Sequence, residues 1–465
     1  MSVKNTSYGP ELIRGMLADC RRLFFIGIGG ISMSALAELS MSEGYLVGGS
    51  DRSGGPTVEH LKELGIKVFC EHKAENISSF DAVIYTVAIS EDNPEYREAI
   101  FRGIPCISRA DYMGYLMTAF RERIGVSGMH GKSSCTAMCA EIFLSATDAT
   151  VLCGAPLPAH GNTSCVIGKA REHFLFEACE YMDSFLDFSP TTAVILNIGM
   201  DHVDYFHSME QVRTSFLRFA EKANRVLYNA DDPECQRALA GYPYERHTFG
   251  LSPNAEFRAE NLSSVKGCYS FDFYRGEDLL CRVSLRVPGR HNVYNALASG
   301  GAAILSGLAT TEVKTGLEKF LGAGRRMEKK GRLASGAMVY DDYGHHPDEI
   351  RATLAGAKEM GYSRVICVYQ PHTYSRTAGL FNEFAAAFDN ADRVLFAPIY
   401  AAREQNTFGV SSASLAERIG KKASAYPGFS TLAKVIEQEA QEEDLVLVMG
   451  AGDLYKIFDL LKLFR

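Results

Sequence analysis

The most informative segment of the chain is Ile124-Gly-Val-Ser-Gly128-Met-His-Gly131-Lys132-Ser133-Ser134, which starts as a strand and precedes a helix-like run from Cys135 to Glu141. Glycines in a strand-to-helix turn let backbone N–H groups approach an anion at the helix N-terminus. Lys132 is expected to neutralise β- and γ-phosphate charge, and the Ser133 hydroxyl is expected to reach Mg²⁺. The turn is nonstandard because Val126 replaces the usual first glycine. It nevertheless predicts a phosphate-binding loop formed by Gly128, Met129, His130, Gly131, Lys132, Ser133 and Ser134.

Two later strand-like runs end in groups that can bind a metal. Phe174-Leu-Phe ends at Glu177, and Ala193-Val-Ile-Leu leads to Asp201-His202. Polar groups at the carboxyl ends of parallel strands face the ligand crevice. The sequence therefore predicts that Ser133, Glu177 and His202 form a metal site with phosphate oxygens. An ordinary hydrogen-bonded turn histidine is the alternative for His202.

A second glycine turn occurs near the start of the chain. It comprises Gly27, Gly29, Gly30, Ser32 and Ser34, and Asp51 ends the next predicted strand. The strict dinucleotide pattern would place glycine at position 32, so a nucleotide-linked substrate is favoured over a redox cofactor. Two alternatives remain open: a tight packing corner, and a nicotinamide oxidoreductase with Asp51 on the ribose. The oxidoreductase would leave the loop at 128–134 unexplained.

Short apolar runs alternate with amphipathic segments of helix length along the whole chain. This alternation predicts an α/β protein with largely parallel sheets, and glycine turns near residues 27, 128 and 450 suggest three units. We predict an N-terminal Rossmann-like domain (1–118), a central P-loop ATPase-like domain (119–322) and a C-terminal Rossmann-like domain (323–465). Strict alternation in Tyr269-Ser-Phe-Asp-Phe-Tyr274 predicts an antiparallel hairpin at the edge of the middle domain.

Composition excludes several classes of protein. The 465 residues include 48 Lys and Arg against 56 Asp and Glu, giving a net charge of −8 without a local basic patch, so nucleic acid is not an expected partner. We find neither an uninterrupted apolar stretch of membrane-spanning length nor a signal-peptide core, which predicts a soluble cytoplasmic protein away from membranes. The 12 cysteines are scattered, as expected of reduced thiols.

Taken together, the motifs resemble those of the Mur ligases over nearly the whole chain. The resemblance lies in the two glycine turns, Glu177-Ala-Cys-Glu180, Asp201-His202, Gly289-Arg-His-Asn-Val-Tyr-Asn295, Gly324-Arg-Arg326, Asp341-Asp-Tyr-Gly-His-His-Pro347, Gln370-Pro-His-Thr-Tyr-Ser-Arg376 and Gly450-Ala-Gly-Asp453. The chain departs from the family at Met129, Ser133, Ser134 and Cys135. Leu217 stands where several sister ligases carry a carbamylated lysine, so no carbamate is expected.

The resemblance implies a ligase that uses ATP and Mg²⁺. The implied substrates are UDP-N-acetylmuramate and L-alanine, joined through an acyl phosphate during peptidoglycan synthesis. Lys132, Glu177, His202, His345 and Arg376 would be catalytic. A sister ligase adding another amino acid or a recycled peptide remains open, as does a nucleotide-binding regulator without turnover. The oligomeric state is left undetermined.

The same resemblance assigns residues in the second half of the chain. His291, Asn292, Asn295 and Arg326 would bind the nucleotide, whereas Tyr343, His345, His372 and Arg376 would bind the amino acid and the acyl phosphate. The structural alternatives are that His291 and Asn295 cap a helix, and that Arg325 and Arg326 are two solvent-exposed residues of a linker. Pro347 and the lack of a third ligand argue against a metal at His345 and His346.

Overall fold

A computed structural model describes residues 3–202, 205–402 and 404–464. The chain divides into two compact units. Unit 1 comprises Met1–Arg258, Phe273–Cys281 and Tyr294–Gly316, and unit 2 comprises Ala259–Asp272, Arg282–Val293 and Leu317–Arg465. The first two predicted domains thus lie mainly in unit 1 and the third in unit 2. The predicted domain boundaries themselves stay a prediction.

Unit 1 begins with a five-stranded parallel sheet. Its strands are β1 (Arg22–Ile26), β2 (Leu46–Ser50), β3 (Lys67–Phe69), β4 (Ala82–Tyr85) and β5 (Cys106–Ser108), in the order β3-β2-β1-β4-β5. The accompanying helices are α1 (Pro10–Leu17), α2 (Ile31–Ser42), α3 (Pro56–Glu63), the 3-10 helix η1 (Ala74–Ile77), α4 (Pro94–Arg102) and α5 (Arg109–Met117). The first glycine turn follows β1, where the strand order reverses and parallel sheets bind ligands.

A ten-stranded sheet follows in the chain. Its strands are β6 (Glu122–Ser127), β7 (Thr150–Leu157), β8 (Thr163–Val166), β9 (His173–Glu177), β10 (Thr192–Ile195), β11 (Arg225–Asn229), β12 (Glu245–Gly250), β13 (Phe257–Val265), β14 (Cys268–Arg275) and β15 (Asp278–Pro288). The order is β15-β14-β13-β12-β11-β10-β6-β9-β7-β8, so β6 lies between β10 and β9, parallel to both. The strands predicted as an edge hairpin do lie at one edge.

In the part of the chain that the structure describes, seven helices alternate with or follow these strands. They are α6 (Lys132–Ala146), the 3-10 helices η2 (Pro158–His160) and η3 (Tyr181–Asp187), α7 (Met209–Glu221), α8 (Pro233–Leu239), α9 (His291–Leu305) and α10 (Thr310–Lys319). Residues Ile124-Gly-Val-Ser127 of β6 are all apolar or small and all buried, as expected for a central strand of a parallel sheet.

Unit 2 contains a six-stranded sheet. Its strands are β16 (Glu328–Arg332), β17 (Met338–Asp342), β18 (Arg364–Tyr369), β19 (Arg393–Phe396), β20 (Ala423–Ala425) and β21 (Asp444–Met449), in the order β16-β17-β21-β18-β19-β20. Strand β16 pairs antiparallel with β17, and the other neighbouring strands of this sheet pair parallel. Its helices are α11 (Pro347–Glu359), α12 (Tyr374–Gly379), α13 (Phe381–Ala385), α14 (Ser412–Ile419), α15 (Phe429–Glu439) and the 3-10 helix η4 (Leu454–Asp459).

In unit 1, the five-stranded sheet and the part of the ten-stranded sheet that belongs to this unit share one hydrophobic core. Buried side chains of α5, including Tyr112 and Met117, belong to the same cluster as Phe174 and Phe185. The approach of α5 to η3 is very close, because a Cβ atom at Gly114 would lie 2.1 Å from the carbonyl oxygen of Asp187. In the described ranges, the helices are too short and too polar to cross a membrane.

Candidate active site

The phosphate-binding loop connects β6 to α6. Gly128 has φ 140° and Gly131 has φ 84°, a region that L side chains rarely adopt. A Cβ atom at Gly131 would also lie 2.9 Å from Oδ1 of Asn295, which the resemblance assigns to the nucleotide. Both the backbone conformation and the space therefore require glycine, and α6 starts directly at Lys132.

Asn197 holds this loop in place. Its Oδ1 accepts from the His130 amide (2.8 Å), its Nδ2 donates to the His130 carbonyl (3.0 Å), and its own carbonyl accepts from the Met129 amide (3.2 Å). Asn197 follows β10, whose parallel pairing with β6 brings it to the loop. Asn197 was not among the site residues predicted from the sequence. Its position just beyond a strand next to β6 is the signal that could have identified it.

Lys132 forms an ion pair with Glu180. Its Nζ lies 3.1 Å from Oε2 of Glu180, a residue only 3% exposed, and also donates to the Gly128 and Met129 carbonyls. Burial opposes the charged form of Lys132, but the carboxylate of Glu180 outweighs that effect and raises the pKa of Lys132 above its usual range. Lys132 is therefore a cation at neutral pH. Glu180 belongs to one of the motifs of the sequence, but it was not predicted to be the partner of Lys132.

Ser133 and Glu177 are in direct contact. The Ser133 hydroxyl donates to Oε2 of Glu177 at 3.2 Å, and Glu177 also accepts from the Gly154 amide and from Sγ of Cys153. Glu177 ends β9, which pairs with β6, and Ser133 lies in the first turn of α6. Their oxygens are the ligand type that Mg²⁺ prefers. Two of the three predicted metal ligands thus lie together.

His202 lies beside Glu180. Its Nε2 is 4.0 Å from Oε1 of Glu180 and 3.8 Å from Oδ2 of Asp201, and its ring is 4.5 Å from that of Tyr181. The residue has φ 51°, in the left-handed region. The carboxylates around it make the site acidic, which suits a divalent cation. The assignment of His202 as a metal ligand stays a prediction.

The first glycine turn is braced by Asp51. Oδ2 of Asp51 accepts from the Gly29 amide (2.9 Å) and Oδ1 accepts from the Ser53 amide (2.8 Å), while Gly27 adopts φ 82°. The Gly30 amide donates to the Gly27 carbonyl, and α2 starts at the next residue. Asp51 therefore holds the turn through Oδ2, whereas its Oδ1 holds the backbone of its own segment at Ser53. The α2 N-terminus is the predicted anion-binding element of this turn.

The two serines predicted in this turn have different environments. Ser34 is 3% exposed, and its hydroxyl donates to the Ile31 carbonyl at 2.9 Å. Ser32 is exposed on the first turn of α2. Ser32 is therefore the better placed of the two to contact a ligand.

In unit 2, the predicted amino-acid-binding residues form a chain of aromatic contacts. The Tyr343 ring lies 5.7 Å from that of His345, His345 lies 6.1 Å from His372, and His372 stacks on Tyr400 at 5.5 Å. Burial lowers the pKa of His372 to about 4, and the positive charges of His345 and Arg376 add to this effect. His372 is therefore neutral at pH 7, close to the cationic Arg376.

Arg325 and Arg326 are not a solvated pair. Nε of Arg325 lies 3.2 Å from Asp341, and the guanidinium groups of both arginines lie over the Tyr343 ring, at 4.9 and 5.4 Å from its centre. His346 caps α11 by accepting from the Asp348 amide at 3.3 Å. Arg326, predicted to bind the nucleotide, therefore packs on Tyr343, one of the residues predicted to bind the amino acid. His346 has a structural role as the N-cap of α11.

The start of α9 contains the remaining predicted nucleotide-binding residues. Burial, and then the charge of Arg326, lower the pKa of His291 to about 4. Nδ2 of Asn292 donates to the Pro288 carbonyl at 2.8 Å. His291 and Asn292 belong to unit 2, whereas Asn295 belongs to unit 1 beside the phosphate-binding loop.

Comparison with known proteins agrees with this geometry. Three family profiles match: Mur ligase family, catalytic domain (residues 22–121), Mur ligase middle domain (126–303) and Mur ligase, glutamate ligase domain (325–452). The chain is 41% identical over 449 residues to UDP-N-acetylmuramate--L-alanine ligase of Clostridium tetani, covering 95% of this chain and 97% of that protein. The corresponding protein of Clostridium acetobutylicum is 40% identical over 446 residues, with coverage of 94% and 96%.

A solved structure supports the same relationship. The crystal structure of UDP-N-acetylmuramate-alanine ligase from Thermotoga maritima superposes with a TM-score of 0.81 at 28% identity, covering 94% of this chain and 97% of that one. The predicted α/β fold of three parallel-sheet domains is confirmed. The chain belongs to the Mur ligase family.

Proposed function

We infer that the protein joins L-alanine to UDP-N-acetylmuramate, with ATP as the energy source, in the cytoplasmic synthesis of peptidoglycan precursors. The observation that carries this inference is the phosphate-binding loop, with cationic Lys132 and the Ser133–Glu177 contact at its end. Support comes from relatives about 40% identical over nearly their whole length, which are named as ligases of these two substrates.

The proposed reaction brings anions together. The lactyl carboxylate attacks the γ-phosphorus of ATP, the bond to the β-phosphate breaks, and ADP leaves. The amine of L-alanine then attacks the acyl phosphate and releases inorganic phosphate. Lys132 and the backbone amides at the α6 N-terminus supply the positive potential that the first step needs. Glu180 keeps Lys132 charged and oriented until phosphate arrives.

Ser133, Glu177 and His202 would hold Mg²⁺. Bound there, the ion would neutralise phosphate oxygens and polarise the γ-phosphoryl group. Glu177 accepts a hydrogen bond from the Ser133 hydroxyl, so it orients the oxygen that would face the ion. On the amino-acid side, the fork of Arg376 suits the carboxylate of L-alanine. Neutral His372 leaves Arg376 as the positive group for that carboxylate.

The test is a coupled phosphate-release assay. The reaction contains ATP, Mg²⁺ and UDP-N-acetylmuramate with a panel of amino acids, and we expect release to depend on L-alanine. Lys169→Ala, on an exposed surface of the same unit, is the control and should keep the full rate. Release with another amino acid or with a peptide would identify a sister ligase. ATP binding without release, or NADH binding instead, would identify one of the other two classes.

His202→Ala is expected to raise the Mg²⁺ concentration needed for half-maximal activity and to slow turnover. ATP affinity should fall little, because Lys132 and the loop amides remain. His202→Asn is the matched variant, since asparagine tolerates the left-handed backbone at this position. Melting temperature and a Mg²⁺ titration are measured on the same preparations. A lower melting temperature with an unchanged Mg²⁺ titration would show that His202 is structural.

A further inference from the structure

A small cavity in unit 1 joins the two predicted ligand sites of that unit. It has a volume of about 100 Å³ and is lined by Ser32, Arg109, Cys153, Glu177 and Cys179, among others. Ser32 lies on the first turn of α2, after the first glycine turn, whereas Glu177 accepts the hydroxyl hydrogen bond of Ser133. The lining of the cavity therefore includes both Ser32, which follows the first glycine turn, and Glu177, the hydrogen-bond partner of Ser133 in the phosphate-binding loop.

Arg109, the first residue of α5, supplies the positive charge of this cavity. Burial lowers the pKa of Arg109, and the charges of Cys179 and Asp187 oppose that effect only in part. Within residues 3–202, 205–402 and 404–464, its guanidinium group donates no hydrogen bond and forms no ion pair. The neighbouring Asp187 accepts from the Ser7 hydroxyl, and burial followed by Asp111 raises its pKa to about 6.

Two other basic residues of unit 1 have partners. Arg123 donates to the carbonyls of Ser189 (2.7 Å) and Phe120 (2.8 Å), and Lys132 pairs with Glu180. A guanidinium group stays protonated in proteins, so its partial burial lowers the stability of the protein unless an anion pairs with it. Arg109 thus has the properties of a binding residue whose partner is a ligand.

The size and position of the cavity indicate which anion it accepts. At about 100 Å³, the cavity is smaller than the roughly 300–1,000 Å³ typical of sites that enclose a whole small molecule, which suits a carboxylate on a short stem rather than a diphosphate with its sugar. In the proposed reaction, the carboxylate of the sugar nucleotide, which we expect at the first glycine turn, must reach the γ-phosphate, which we expect at the phosphate-binding loop. Ser32 and Glu177 both line the cavity, and Glu177 contacts Ser133 of that loop.

We propose that Arg109 binds the carboxylate of the sugar nucleotide and positions it for attack on the γ-phosphate. This inference rests on the proposed function. The guanidinium fork would hold the carboxylate through parallel hydrogen bonds and shield it from Glu177 as its oxygen forms the bond to phosphorus. Arg109 takes no proton in this step, because the leaving group is ADP.

The test compares two ligands that share the UDP group. UDP-N-acetylmuramate carries the carboxylate, whereas UDP-N-acetylglucosamine lacks it. By calorimetry, Arg109→Gln should weaken UDP-N-acetylmuramate binding about 10- to 100-fold and leave UDP-N-acetylglucosamine binding unchanged. Arg109→Lys, which keeps the charge without the fork, should give an intermediate loss. Arg97→Gln, on the exposed face of α4, should change neither.

Melting temperature without ligand separates binding from structure. Because Arg109→Gln removes an unpaired charge, the melting temperature should stay the same or rise. Equal loss of both ligands would show that Arg109 contacts the diphosphate, and unchanged affinity for both would show that it binds neither; each result overturns the inference. If the wild-type protein releases no phosphate with any amino acid, the proposed function itself fails, independently of the variants.

Discussion

Lys132→Ala is expected to reduce phosphate release by at least about 10³-fold, because it removes the cation that faces the transferred phosphate. It should also lower the free energy of unfolding by about 3 kcal/mol, since it leaves the carboxylate of Glu180 buried without its ion-pair partner. Turnover is measured by coupled phosphate release, and stability by urea unfolding without nucleotide.

A double variant separates these two effects. In Lys132→Ala with Glu180→Gln, the buried charge is removed together with its partner, so stability should return most of the way to wild type. Turnover should not return. If the double variant recovered activity along with stability, the loss in Lys132→Ala would be a folding effect, and Lys132 would not act on phosphate.

Gly114→Ala is expected to be the most destabilising small substitution in unit 1. The added methyl group would lie 2.1 Å from the carbonyl oxygen of Asp187, a backbone atom that cannot rotate away. Helix α5 must then move away from η3, at a cost of about 3 kcal/mol or more. Chemical unfolding gives the change in free energy.

Gly15→Ala is the matched control for this effect. Gly15 also lies inside a helix, α1, and a Cβ atom there would meet nothing within 4 Å. Alanine should therefore stabilise the protein by about 0.5–1 kcal/mol, because it restricts the unfolded chain and favours the helix. A Gly114→Ala protein as stable as Gly15→Ala would show that α5 and η3 can separate freely.

The phosphate-binding loop was predictable because its signal is local. Gly131 needs glycine for its φ and for the space beside Asn295, and Lys132 begins the following helix, so one short segment contains the whole pattern. The alternation of strands and helices likewise predicted parallel sheets. The edge strand β14 was predictable from the strict alternation of Tyr269-Ser-Phe-Asp-Phe-Tyr274.

Pairs distant in sequence were not predictable. Glu180 lies 48 positions from Lys132, and Asn197 lies 67 positions from His130; only the order of strands β10, β6 and β9 brings them together. The sequence also did not reveal that Oδ2 of Asp51, predicted as a ligand-binding residue, accepts a hydrogen bond from Gly29 and that its Oδ1 accepts one from Ser53; its ligand contact stays a prediction. Arg109 was not predicted as a site residue, because the sequence around it does not distinguish an arginine that lines a cavity from one on the surface.

The remote partners of the phosphate-binding loop also bear on when the protein becomes able to bind nucleotide during its synthesis. Asn197 holds the loop at Met129 and His130, and the Ser299 hydroxyl donates to the Cys135 carbonyl, 164 residues earlier. Contacts of this separation form late, because the entropy of closing a long loop is lost before they are gained. A growing chain therefore cannot complete these contacts until residue 299 of 465 has emerged. We expect ATP to bind the predicted phosphate-binding loop only after that point.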